Sequence, residues 1–105
     1  ENYGIDLFTN KKSKTNPEVC TAVLEDVIPK LRELPDWTEE TLHEFLMSYA
    51  QEHEMKNGTL LWPIRIAMSG KTVTPGGAIE IAALLGREEA MRRLELGLKK
   101  LKDAQ

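Results

Sequence analysis

Residues 16–34 read NPEVCTAVLEDVIPKLREL. Cys20, Val23, Leu24, Val27, Leu31 and Leu34 recur at spacings of three and four, which puts one apolar helix face toward a core. Asn16 before Pro17 is a start signal. The asparagine side chain can accept from an orphan backbone N–H, and a proline in the first turn sacrifices no hydrogen bond. Pro29 removes the bond to the Glu25 carbonyl, so a kink or a short break is expected there.

The helical period continues downstream. Leu34-Pro35-Asp36 is a connection, and Asp36 or Thr38 caps a second helix with the stripe Leu42, Phe45, Leu46, Tyr49, Ala50 and His53. Lys56-Asn57-Gly58 should end it, with Asn57 or Gly58 suited to the left-handed position after a helix. Thr59 opens a short third helix through Met68, with Pro63 in or near its first turn and Ser69-Gly70 as its stop. Lys71-Thr72-Val73 reads as a loop. Thr74-Pro75 repeats the cap-then-proline start, and a fourth helix runs to Leu85. Gly86 ends it. Arg87-Glu88-Glu89 begins a fifth that reaches about Lys100, with the stripe Ala90, Met91, Leu94, Leu98 and Leu101. Residues 1–15 read as an irregular lead-in with a basic cluster at Lys11, Lys12 and Lys14. Nothing alternates with period two for long enough to make a sheet, and no repeat is present. The expected fold class is all-α, a compact bundle of about five helices in a single domain spanning residues 1–105.

At 105 residues and 11.9 kDa the chain has the size of one domain. Folding should bury roughly 65% of the extended chain's surface, enough for a core without staples. Hydrophobic residues make up 41% and charged residues 30%, which excludes disorder, and no apolar run approaches the length of about 18 residues that spans a membrane. Glu1-Asn2-Tyr3-Gly4 has no signal-peptide character, and the single Cys20 cannot form an intramolecular disulfide, so a reducing, cytoplasmic setting is expected. The net charge of -3 is unevenly spread: Glu1 to Gly58 holds 12 acidic and 6 basic residues, Thr59 to Gln105 holds 5 and 8. The second half can therefore present positive charge to a polyanion, or simply a solvated helix face.

Catalytic patterns are absent. Gly70-Lys71-Thr72 looks like the end of a phosphate-binding loop, but the glycine required five positions earlier is Arg65, and a helix precedes it instead of a strand. His43 and His53 lie ten apart on one helix, too far to share a metal. His53 falls on the apolar stripe and is expected to be packed and hydrogen-bonded, and His43 to be exposed. Cys20 sits on a buried stripe with no basic neighbour to favour a thiolate. The residues describe a binding module with no catalytic, cofactor-binding or metal-ligating set.

The stretch that could bind a ligand runs from Trp62 to Gly86, WPIRIAMSGKTVTPGGAIEIAALLG. A helix start at Thr74-Pro75-Gly76-Gly77 leaves backbone N–H groups free, and with the helix dipole these favour a phosphate or an oxygen-rich base edge. Two glycines leave the approach open, and Arg65 and Lys71 add positive charge. A plain cap and tight turn would account for the same residues. Arg65 could instead pair with an acid such as Glu80. Trp62 is read as core, and Arg92 and Arg93 as solvated or bonded within the bundle.

In this stretch and beyond, the chain resembles the C-terminal anticodon-binding domain of bacterial glutamyl-tRNA synthetases. The resemblance rests on Leu61-Trp62-Pro63-Ile64-Arg65 leading to Ser69-Gly70, on Thr74-Pro75-Gly76, and on Leu84-Leu85-Gly86-Arg87-Glu88-Glu89 with Arg92-Arg93-Leu94. Upstream, Lys11-Lys12-Ser13-Lys14-Thr15-Asn16-Pro17-Glu18, Trp37-Thr38-Glu39-Glu40 and Met55-Lys56-Asn57-Gly58 stand in the expected order, so it covers nearly the whole chain. Lys11-Lys12-Ser13-Lys14 also looks like the lysine-serine-lysine loop that class I aminoacyl-tRNA synthetases use on ATP. Without a nucleotide-binding fold or that motif's histidine-containing partner, it reads as a solvated basic lead-in.

The resemblance implies an α-helix cage closing the tRNA-binding arm of an ATP-dependent glutamate–tRNA ligase. The parent's Rossmann catalytic domain, with ATP and magnesium, would lie N-terminal to residue 1. It implies tRNA(Glu) as partner through the anticodon loop, the catalytic domain of the same parent as neighbour, neither membrane nor DNA, and a monomer. It carries anticodon contact onto Arg65, Thr74, Pro75 and Gly76; Lys71 is a weaker candidate from its charge beside them and not from the resemblance. Many members have leucine where this chain has Gly77, so only backbone contact is expected there. Anticodon bases are unstacked and can be read at their edges, and Arg65 can make the paired donor contacts that lysine cannot. The competing function is a small helical protein–protein interaction module whose residues Thr59 to Gln105 offer a basic face to an acidic partner.

Overall fold

The computed structural model describes residues 4–72, 74 and 76–104. A short 3-10 helix, Ile5–Phe8, precedes five α-helices: α1 (Pro17–Arg32), α2 (Glu39–Glu52), α3 (Asn57–Ser69), α4 (Ala78–Leu85) and α5 (Arg87–Asp103). Among the described residues there is no strand, only an isolated bridge between Asn10 and Thr15. The all-α bundle expected from the periodicity is what forms.

α5 lies along α1 and α3, and the short α4 fills the angle between α2, α3 and α5. Leu24 and Leu31 of α1, Leu46 of α2, Leu60 and Ile64 of α3, and Leu94 and Leu101 of α5 are all buried. Asn16 caps α1 by accepting from the Val19 N–H at 2.8 Å, and Thr38 caps α2 by accepting from the Thr41 N–H at 3.1 Å. Gly70 and Gly86 end α3 and α4 with φ of 67° and 83°, angles that glycine adopts without steric penalty.

Several boundaries differ from the sequence reading, each for a local reason. α1 runs unbroken through Pro29, because buried Val27, Ile28 and Leu31 pin both sides of the single missing hydrogen bond. α2 ends at Glu52, before Asn57 and Gly58. Glu54 takes the left-handed conformation, φ 52°, while the Met55 N–H bonds to the Ala50 carbonyl at 2.8 Å and the Glu54 N–H to that of Gln51 at 3.1 Å. Asn57 and Gly58 are instead the first residues of α3. Pro63 is consequently buried inside that helix in its second turn, not its first. His53, expected to be packed and hydrogen-bonded, caps the end of α2 and is exposed. It stacks on Tyr49 with ring centres 4.1 Å apart, its Nε2 lying 3.9 Å from Asp26 Oδ2. His43 is exposed, as expected. α5 extends three residues beyond Lys100.

The largest departure is the lead-in. Phe8 is fully buried, and its carbonyl accepts from Thr15 Oγ1 at 2.8 Å. Trp62 Nε1 donates to the Leu7 carbonyl at 3.0 Å, and Thr59 Oγ1 to that of Ser13 at 2.6 Å. The segment is thus tied to α1 and α3 and contributes to the core. Cys20 is fully buried beneath it, and burial pushes its thiol up to about 12, which fits packing and not nucleophilic chemistry.

Candidate nucleic-acid interface

The end of α3, the loop after Gly70 and the start of α4 meet at one corner of the bundle. Arg65 is half-buried on α3. Its guanidinium lies 5.9 Å from the centre of the Trp62 ring, and Nη1 donates to the Thr72 carbonyl over a long 3.4 Å. It makes no ion pair with Glu80, the alternative open from sequence. Glu80 is turned to its own helix start, where Oε1 accepts from the Gly77 N–H at 2.9 Å. Ser69 shapes the turn: its hydroxyl donates to the Arg65 carbonyl at 2.7 Å and accepts from the Lys71 N–H at 3.1 Å. Lys71 and Thr72 project into solvent.

The fourth helix does not start at Thr74-Pro75. It begins at Ala78, with Gly77 extended before it. Two successive glycines lose too much chain entropy to be held helical cheaply, so the helix waits for Ala78. Thr74 is therefore no helix cap; its hydroxyl donates to the Gly76 carbonyl and closes the turn. Pro75 lies outside the described residues. A Cβ at Gly76 would meet Glu80 Cβ and Oε1 at 3.3 Å, a tight fit, whereas at Gly77 it would meet only Glu80 Oε1 at an ordinary 3.6 Å. Arg65, Lys71, Gly76 and Gly77 thus share one corner, with Thr74 bracing it from within.

The polarity of this corner is two-sided. Arg65 and Lys71 stand on one flank with no acidic partner among the described residues. On the other flank a cleft of about 590 Å³ opens between α2 and α4, lined by Glu39, Glu40, His43, Glu44, Leu61 and residues 77–80. This cleft is not legible from sequence, because its walls come from helices some forty residues apart.

Arg92 and Arg93 are bonded within the bundle, as read from sequence. Both donate to Glu89, whose carboxyl is held down at about 2 by Arg92 and then Arg93. Arg93 also donates to the Met68 carbonyl at 2.7 Å. Lys102 pairs with Glu25 at 2.7 Å, and Arg32 of α1 with Glu95 of α5. Much of the basic C-terminal face is therefore neutralised internally. Among the described residues no group of three or more His, Cys, Asp or Glu could hold a metal ion, and no helix is long and apolar enough to cross a membrane. Gly70-Lys71-Thr72 is the end of α3 with its following turn, which does not fit a nucleotide's phosphates.

Fold and corner together define an all-α domain with its unpaired cations beside an open, glycine-bearing turn. Residues 1–98 match the family model described as "Anticodon binding domain", and the chain belongs to that family. Among its relatives, a glutamate–tRNA ligase of Clostridium novyi (strain NT) is 46% identical over 103 residues, covering 98% of this chain and 21% of that protein. Those of Clostridium tetani (strain Massachusetts / E88) and Clostridium kluyveri are 48% and 47% identical over 101 and 100 residues, 96% and 95% of this chain, and 21% and 20% of theirs. The chain spans about one fifth of the length of the curated relatives it matches.

Proposed function

We propose that this chain binds a tRNA anticodon loop at the α3–α4 corner, as the C-terminal anticodon-binding domain of a glutamate–tRNA ligase, with residues 1–105 forming a single domain. Arg65 supplies paired donors to a base or phosphate, and Lys71 adds positive charge. Gly76 and Gly77 let RNA come against bare backbone, with Thr74 closing the turn and Thr74 and Pro75 as further contacts to the loop. The observation that carries this reading is the pair of cations beside that turn with no acidic partner among the described residues, in a chain whose similarity to the ligases extends over nearly its whole length. The longer protein would attach glutamate to tRNA(Glu) in the cytoplasm, as a monomer. Its ATP, magnesium and catalytic residues would belong to another domain.

The test is a titration of the purified chain with a glutamate-type anticodon stem-loop and with a hairpin of scrambled loop sequence. The stem-loop should bind more tightly, and Arg65→Ala should weaken it by about 1–3 kcal/mol and relax its base preference. Equal binding of both hairpins would defeat the reading.

A further inference from the structure

We propose that Trp37 and Arg87 are positioning residues for the RNA corner: from the α1–α2 connection they fix α4, and through α4 the Gly76-Gly77 backbone that faces the loop. The inference rests on the anticodon-loop reading above. α4 has eight residues, and its buried side chains are Ala78 and Ala82. Leu84 is exposed, and Ile79, Ile81 and Leu85 are only partly buried. Apolar contact of this kind is non-directional, so it does not by itself fix where a short helix sits along its axis. Hydrogen bonds, which weaken steeply with angle, can.

Those bonds come from the connection between α1 and α2. Trp37 Nε1 donates to the Ala82 carbonyl at 2.8 Å, across 45 positions of sequence. Arg87, directly after the Gly86 stop of α4, donates from Nη2 to the Leu34 carbonyl at 2.5 Å, and its guanidinium lies 5.5 Å from the centre of the Trp37 ring. One connection thus grips α4 in its second turn and at its end. From Ala82 back to Gly77 the helix rises about 7.5 Å, so a shift at the grip reappears at the turn. The grip does more than satisfy the fold. The Ala82 carbonyl already accepts from the Gly86 N–H at 3.2 Å, so the Trp37 bond is a second one on that oxygen, and losing it orphans no backbone group. Arg87 Nε is buried with no hydrogen-bond partner among the described residues, a placement that stability alone does not favour.

The test titrates Trp37→Phe with the glutamate-type anticodon stem-loop and the scrambled hairpin, beside Arg93→Ala, whose lost bonds join α5 to α3 and not to α4. Trp37→Phe keeps an aromatic ring and deletes the donor to Ala82. It should weaken the stem-loop about threefold to tenfold, the scale of one hydrogen bond. Binding of the scrambled hairpin, carried by charge, should be unchanged. The Gly76 and Gly77 amide resonances of the free variant should move. Arg93→Ala should lower the urea midpoint and do none of this, as would Trp37→Phe if Trp37 only stabilised the fold. Unchanged stem-loop affinity in folded Trp37→Phe would overturn the inference and leave the anticodon reading intact. Should Trp37→Phe fail to fold, Arg87→Gln decides by the same readouts. Unfolding of both would overturn the inference, because the connection would then hold the whole bundle and not the corner. A wild-type chain that binds both hairpins equally would overturn the anticodon reading and this inference with it.

Discussion

The flank of α5 and the α3–α4 corner both carry arginine, and they use it differently. On α5, Arg92 and Arg93 grip Glu89, Arg93 reaches the Met68 carbonyl of α3, and Lys102 and Glu95 are paired across to α1. At the corner, Arg65 makes one long hydrogen bond and Lys71 projects into solvent without an acidic partner. Charge matched within the fold helps hold helices together. Charge left unmatched beside an open turn is available to a partner. Composition shows an excess of Lys and Arg in both regions; the pairing tells them apart.

If internal packing and pairing hold the bundle, the greatest loss of stability should come from the largest fully buried side chain, Phe8, packed with α1 and α3. Phe8→Ala should cost about 3–5 kcal/mol, read as a fall in the urea midpoint. A loss below about 1 kcal/mol would return residues 4–15 to the status of a loose lead-in.

The two arginines sharpen the contrast directly. Arg93→Ala should cost about 1–2 kcal/mol of stability, since it removes a charge-assisted bond to a carbonyl and an ion pair to Glu89, and should leave RNA affinity intact. Arg65→Ala should leave stability within about 0.5 kcal/mol and reduce affinity. Exchange of these two outcomes would break the distinction between the regions.

Much of this was legible in the sequence, and its failures share a physical cause. Stripes such as Cys20 to Leu31, the Asn16 cap and the stops at Gly70 and Gly86 are local features, and they form as read. Phe8 belongs to no periodic stretch, and its burial depends on Trp62 and Thr59, about fifty residues away, holding the lead-in down. Asn57-Gly58 suits a helix stop as well as a start, and tertiary packing chose the start. At Thr74 the cap-then-proline pattern gave way to the two glycines after it. The site residues were legible as a group around one turn, whereas the acidic cleft beside them was not.

Gly77→Ala should leave stability within about 1 kcal/mol, since the entropy it removes from the unfolded chain is offset by alanine's poorer fit at the helix cap and the new methyl meets only Glu80 Oε1 at 3.6 Å, and it should lower affinity for the stem-loop. Unchanged affinity would mean that RNA does not approach this backbone. The smallest effect concerns acid. The folded Glu89 carboxyl lies at about 2, below its ordinary 4.5, so its contribution is complete above 4.5 and fades as pH falls through 2. Wild type should therefore exceed Glu89→Gln in urea midpoint at about pH 6, by a margin that shrinks toward pH 2. A margin independent of pH would deny Glu89 its charged role.

The most direct test of the central claim is a backbone amide chemical-shift titration of the chain with the anticodon stem-loop. The account predicts that the largest changes fall at Arg65, Gly70, Lys71, Gly76 and Gly77, with the amides of Arg92, Arg93 and Lys102 little moved. Changes concentrated on the outer face of α5, with the α3–α4 corner silent, would contradict it.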